Sequence, residues 1–571
     1  MIRKYILILA LIAVNLAPCL SQAQKQEAGL KREVTLYNPY KPSLPDVRKK
    51  SFLPEIKDTA STNPSFSYNV VSKPFMPVYP ISPIKPASLL SDPLPKLYKS
   101  YVKAGLGSNN TPLVELSISN HRSKKGAIGF YASHYSSNGR VPLANKQRVF
   151  SGFMDNDAII YGKKFFSRSL LDLSANFTQK IRYANGYNTD IMVWEPFRKD
   201  IKLSYNDIGA AASFSSLNLD SADFSYNFGI SYDYFHNTKE RTMNHLKFSG
   251  EMAKLFEGFY VGSDLKLDHY SLSDSLYLKP KYIFSVNPFV RKSTSQWNFN
   301  LGLQIAIERN LTSKIHFYPD VRFGFSIVPE YMSFFASLGG KLENNDPLNV
   351  ITLNPYLVPD GSLFRVPNTD YSLIVSGGLK GNNGLGGNYA VSVSYSLIND
   401  MLLFANIVYP DTLSMIERGN HFIVVPDDAE VFNIHAELSG VVTNRLSFNS
   451  AANYYQYTLT ANEFPWNKPS WEGTIGLNYN LRNKILAGAE VTALGKRKLM
   501  SSESSTGWMT LEPLVIDKPL HVNLALSLEY RYTKILSFWA KVNNISGSRY
   551  YEWAYYPSQM FNFMFGFSYS L

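Results

Sequence analysis

The chain closes on FNFMFGFSYSL, residues 561–571, in which Phe561, Phe563, Phe565, Phe567, Tyr569 and Leu571 alternate with Asn562, Met564, Gly566, Ser568 and Ser570. A period of two puts the first set on one face of an extended strand and the second on the other. One comb of this kind suits any sheet with a buried side, yet the pattern runs from near residue 97 to the end. WNFNLGLQIAI sets Trp297, Phe299, Leu301 and Leu303 against Asn298, Asn300, Gly302 and Gln304. DFSYNFGISYDY sets Phe224 to Tyr234 against Asp223, Ser225, Asn227 and Asp233, and HVNLALSLEYRY sets Val522 to Tyr532 against Asn523, Ser527, Glu529 and Arg531. A soluble sandwich also alternates, but it turns polar faces to water and carries far fewer aromatics at its strand ends. Aromatics at strand ends fit the interfacial girdles of a barrel whose apolar side faces lipid.

Composition points the same way. The chain has 38 Tyr and 36 Phe but only 18% charged residues, and its mean hydropathy is −0.16. A helical membrane protein needs apolar runs of about 18 residues or more, and none follows the N-terminus. A spanning barrel hides its apolar residues in alternate positions, so its mean stays polar. The 571 residues then make one large closed sheet rather than several soluble domains.

Residues 1–23 read as a secretory signal: Arg3 and Lys4, a short apolar core, and a small-x-small site that predicts cleavage between Ala23 and Gln24. LAPC, ending at Cys19, offers a lipobox-like alternative that Pro18 fits poorly. Cleavage at Ala23 discards the single cysteine, which leaves no disulfide framework and no thiolate chemistry. Residues 24–97 differ in kind, with Pro74, Pro77, Pro80, Pro83, Pro86, Pro93 and Pro95 too dense for helix or paired strand. They predict an extended periplasmic arm before a barrel over 98–571. The formal charge of +12 suits contact with anionic glycolipid or plain solvated charge, and an exported chain gives no reason to expect nucleic acid.

Connections alternate in length. Tight links at 122–125, 167–169, 382–387 and 443–445 separate long ones at 138–156, 188–199, 346–369, 410–420, 461–470 and 500–520. Short turns on the periplasmic side and long loops outside give an antiparallel all-β transmembrane barrel of about 22 strands, with both termini periplasmic. Strands near 387–409 and 421–444 are long enough to project beyond the membrane. Asn382-Asn383-Gly384 reads as a hairpin turn rather than a phosphate loop, since no GK[ST] follows.

Residues 542–571, VNNISGSRYYEWAYYPSQMFNFMFGFSYSL, resemble the end of TonB-dependent outer-membrane receptors through Val542, Asn543, Asn544, Ile545, Arg549, Tyr550, Tyr551, Glu552, Trp553 and the terminal comb. The resemblance implies a 22-stranded outer-membrane barrel inserted by the barrel-assembly machinery. The chain departs from that family in having only residues 24–97 where a globular plug belongs, and Leu571 where an aromatic usually ends the strand. NPYLVP at 354–359 adds to a likeness to the plug-lacking receptor-like barrels of Bacteroidetes-type bacteria.

No catalytic, cofactor or metal constellation stands out. The nine histidines are dispersed without HxxxH spacing, so the chain does not read as an enzyme. Asp223, Asp233, Glu308, Glu529 and Arg531 are candidate lumen charges that either shape a permeation path or serve as paired wall residues. Two functions follow: a transport or receptor barrel for an unknown ligand, or a structural or assembly subunit recruiting periplasmic partners through residues 24–97. Because a lumen of this width leaks if left open, the arm, folded-in loops or a partner must close it.

Overall fold

The computed structural model describes residues 98–571 apart from 121–122, 124, 188–196, 218–223, 274–279, 311, 358–362, 364, 385, 408–420 and 504–511. The predicted cleavage site at Ala23 and Gln24, the arm at 24–97 and Asp223 lie outside the described residues.

Ser100–Gly107 pairs on one edge with Thr111–Ser119 and on the other with Asn562–Ser570, so first and last strands meet and the sheet closes. The sheet has 24 strands. Two of them, Arg497–Glu503 and Glu512–Lys518, form a hairpin within one connection, and the other 22 make an antiparallel ring, the number the sequence predicts. The hairpin rejoins the sheet by a short parallel pairing of Ala405–Ile407 with Met500–Ser502.

The closing comb explains which way the wall faces. Phe565 stands opposite Leu106 in register, and the two are 59% and 55% exposed on the outside of the ring. On the inside, Gly105 faces Gly566. The indole of Trp539 lies across both glycines: a Cβ on Gly105 would sit 2.5 Å from its ring, and one on Gly566 would sit 2.7 Å away. Lys103 Nζ covers that ring at 5.2 Å from its centroid and pairs with Glu115 at 3.2 Å. Glycine is needed at this seam because an indole occupies the space a side chain would take.

The two ends of the ring differ. At the turn end, Glu257 and Gly258, the two residues between Phe256 and Phe259, both take positive φ, which matches a two-residue hairpin to the right-handed twist of its strands. At the other end lie the connections 138–152, 184–201, 344–368, 460–470, 495–520 and 544–561. The alternation is looser than the sequence suggests, since 108–110, 238–241 and 310–312 are short connections at this loop end. Asn388–Ile407 and His421–Thr443 run to 20 and 23 residues, about twice the 9–11 that cross a bilayer. Among the described residues, the three buried apolar clusters all sit at the loop end.

Candidate functional site: the filled loop end

The connection 344–368 is shaped by its own sequence. Asp346 accepts a hydrogen bond from the Asn349 backbone N–H at 2.9 Å and Pro347 follows at the first helical position, so a short helix α1, Pro347–Leu353, starts there. Its Val350 and Ile351 are fully buried. With Leu357, Leu363 and Val366 they form one cluster with Tyr205, Phe235, Met243 and Tyr270 from one arc of the wall and Leu402, Phe404 and Phe422 from another. Several strands of the ring separate those arcs. The cluster therefore bridges the mouth, and connection 344–368 is a cap.

The connection 544–561 completes the cap. Trp553 meets Phe404 edge-on at 5.3 Å and Phe422 at 5.4 Å, and Tyr556 lies 3.9 Å from Tyr356. Gly186 leaves room for the Tyr556 ring, which a Cβ there would reach at 2.3 Å. Backbone polar groups are tied as the apolar contacts form: Tyr205 Oη donates to the Pro355 carbonyl at 2.8 Å, and the Phe422 N–H donates to the Tyr356 carbonyl at 3.0 Å.

Beneath the apolar layer the two ends of connection 344–368 rest on imidazole and carboxylate clusters. At its C-terminal end, Asn368 Nδ2 donates to Glu308 Oε2 at 2.8 Å. His316 lies between Glu308, at 3.2 Å, and Asp370, at 3.4 Å, and Tyr318 Oη donates to Asp370 at 2.7 Å. At its N-terminal end the Asn344 amide donates to the Tyr270 hydroxyl. Tyr270 stacks on His245 at 4.2 Å, and His245 pairs with Asp268 at 2.9 Å and approaches Asp233 at 3.8 Å. Both nitrogens of each imidazole face carboxylates, which suits holding a loop and leaves neither free to activate a nucleophile. Burial raises the Asp346 carboxyl above its ordinary value, against the pull of its helix-capping bond and of His245 and Lys281.

A cavity of about 610 Å³ opens between the cap and the wall, bounded by Glu308, Lys314, Arg365, Asp400 and Phe422. A second, of about 630 Å³, lies along the inner wall beside Lys103, Glu529, Trp539 and Lys541.

The residues singled out from the sequence are dispersed. Phe561, Phe563, Phe565, Phe567 and Leu571 are exposed on the outside, with Tyr569 half-buried beside them. Asp233 and Glu308 belong to the two clusters under the cap. Glu529 and Arg531 lie on the inner face nearer the turn end and pair with each other at 3.1 Å. Sequence reasoning missed the cap residues His316, Asp370 and Tyr356, and took Trp553 only as part of a motif. The one local signal was Asn-Asp-Pro at 345–347, a helix start within a long connection. Among the described residues no three His, Cys, Asp or Glu side chains group to hold a metal ion.

No family model and no curated protein matches the chain. Solved structures do. The FrpB iron transporter from Neisseria meningitidis is 10% identical over 84% of this chain and 82% of its own, with a TM-score of 0.63. The copper transporter OprC is 13% identical over 83% and 80%, with a TM-score of 0.61. The ferric-catecholate import receptor Fiu from K12 E. coli, in a closed form, is 9% identical over 83% and 82%, at 0.59. At these identities the likeness establishes the 22-stranded barrel fold.

Proposed function

We propose that this chain is an outer-membrane barrel of the transport or receptor type, related in architecture to TonB-dependent receptors but lacking a full plug, whose outer mouth is closed by its own loops. The observation that carries the reading is the cap: a polar inner wall of receptor size is sealed at the loop end by connections 344–368 and 544–561. Phe561, Phe563, Phe565, Phe567, Tyr569 and Leu571 then face lipid, and the last strand carries the signal for the assembly machinery. Asp233, Glu308, Glu529 and Arg531 line the solute path, and the clusters holding Asp233 and Glu308 also anchor the gate. The names of the fold neighbours, which include copper and iron transporters and an import receptor, favour import over a structural role.

The test is single-channel recording on the purified protein in planar bilayers. The full chain conducts little, and replacing residues 347–366 by a short Gly-Ser link opens a steady conductance. Silence from both proteins, and from one lacking 24–97, overturns the reading.

One observation favours the alternative of an assembly subunit. Among the described residues, those from Tyr183 onward fill this mouth, and in this reading residues 24–97 recruit a periplasmic partner. Extraction without crosslinker that returns only the lone barrel counts against it.

A further inference from the structure

We infer that strands 126–137 to 242–256 carry, on the outside of the barrel, a binding site for a phosphate-bearing lipid of the leaflet at the loop end. The inference rests on the membrane reading above. Three tiers on the same strands support it.

The lowest tier is an apolar groove of about 620 Å³. In register around the ring run Phe130, Ile160, Ala175, Ala210, Tyr232 and Leu246. Ile160 and Leu246 are 49% and 43% exposed on the outer face, while Ala175 and Ala210 make a low floor between them. Small residues flanked by large ones leave a channel wide enough for acyl chains.

Four residues further along every strand, about 13 Å toward the loop end, the outward side chains turn polar together. His134 Nδ1 meets Asn156 Oδ1 at 2.6 Å and Asn156 Nδ2 donates to Gln179 Oε1 at 2.9 Å. Gln179 Nε2 donates to Asn206 Oδ1 at 2.7 Å, and Asn206 Nδ2 meets His236 Nε2 at 3.1 Å. Residues facing acyl chains do not take this form, because each amide would leave hydrogen-bonding capacity in hydrocarbon. The row suits ester and sugar groups at headgroup depth.

The third tier is charge. In the connections above these strands, residues 138–152, 184–202 and 238–241 hold eight Lys and Arg against Asp190, Glu195, Asp200 and Glu240. Lys202 is four residues beyond Asn206 on the same face, and Lys199, Lys202 and Lys239 are exposed with no ion pair among the described residues. Cations at this height attract phosphate, each adding to affinity for an anionic headgroup. Chain groove, polar row and cations are stacked in the order of a phosphorylated lipid's own parts.

The full chain is reconstituted in bilayer discs of phosphatidylethanolamine carrying either diphosphoryl lipid A or the same lipid stripped of its phosphates, and retained lipid is counted by native mass spectrometry. The diphosphoryl form is retained preferentially. Replacing Lys199, Lys202 and Lys239 by Ala lowers its retention by roughly tenfold or more, and Ala210→Phe, which fills the groove, lowers retention of both lipids. Equal retention of the two lipids, or retention unchanged in either variant, overturns the site. Heat-modifiable migration, scored on every variant before lipid is counted, reports insertion separately, so loss of the membrane reading is not mistaken for loss of the site.

Discussion

In the wall, Phe565, Leu106 and Ile160 stand 59%, 55% and 49% exposed, whereas in the cap Val350, Phe235 and Leu357 are at 3% or below. The wall is apolar outside and polar within, and the cap has the opposite order. In the outer-membrane reading proposed above, the wall's apolar side chains gain their free energy from lipid, at about 1.5–3 kcal/mol for each large side chain fully buried. The cap's gain theirs from one another, in water. One chain thus carries two packing solutions with different solvents, and they meet where Tyr205, Phe235, Met243 and Tyr270 are wall residues by register and cap residues by contact. The difference predicts that each region can be damaged while the other stands.

The largest effect belongs to Trp553→Ala. The indole fills the angle between Phe404 and Phe422, and removing a buried aromatic of this kind costs about 3–5 kcal/mol. The cost falls on closure: connection 344–368 becomes a protease site and the channel conducts more, while far-ultraviolet circular dichroism keeps its β signature. Joint loss of barrel and cap in one transition would mean they are a single cooperative unit.

Phe565→Lys is the converse. A Lys on the lipid face near mid-bilayer costs roughly 2–4 kcal/mol, read as a lower urea midpoint for folding into vesicles. Once folded, the variant keeps its cap, and protease resistance of 344–368 matches the wild type. At the junction, Tyr318→Phe removes a donor from the buried Asp370. A hydrogen bond to a charged group is worth about 1.5–3 kcal/mol, partly made up by Asn399, whose amide donates to the same carboxylate at 2.9 Å. Closure weakens and vesicle folding does not.

How much of this could be read from the sequence follows from the same contrast. The wall was legible because a strand with different solvents on its two faces must alternate, and FNFMFGFSYSL does so without a break. The strand number, the long strands at 388–407 and 421–443 and the Asn383-Gly384 turn came with it. The cap was not legible, because its core is assembled from single residues of many segments: Val350 from a seven-residue helix, Phe422 from a strand end and Trp553 from a loop. No period links them. Glu308 illustrates the gap. Its inward direction follows from parity with Ile307, but its bond to Asn368, 60 residues on, depends on where a long connection folds.

The smallest effect is a pH dependence confined to the cap. Burial raises the Asp346 carboxyl, with His245 and Lys281 facing it and pulling the other way. A group raised in the closed form binds its proton more tightly there than in an open loop, so acid favours closure. Its stabilising contribution is complete below the ordinary aspartate value of about 3.9 and is lost as pH rises through the raised one, with a slope of at most about 1.4 kcal/mol per pH unit for one group. Asp346→Asn keeps an oxygen to accept the Asn349 N–H, and Asn caps helices about as well as Asp, so the variant removes the titration and keeps the helix start. Cap opening, followed by proteolysis of 344–368 from pH 4 to 8, should rise with pH more steeply in the wild type than in the variant. Folding of the wall into vesicles, measured over the same range, should not separate the two proteins; if it does, Asp346 is coupled to the whole barrel and the division between wall and cap fails at this residue.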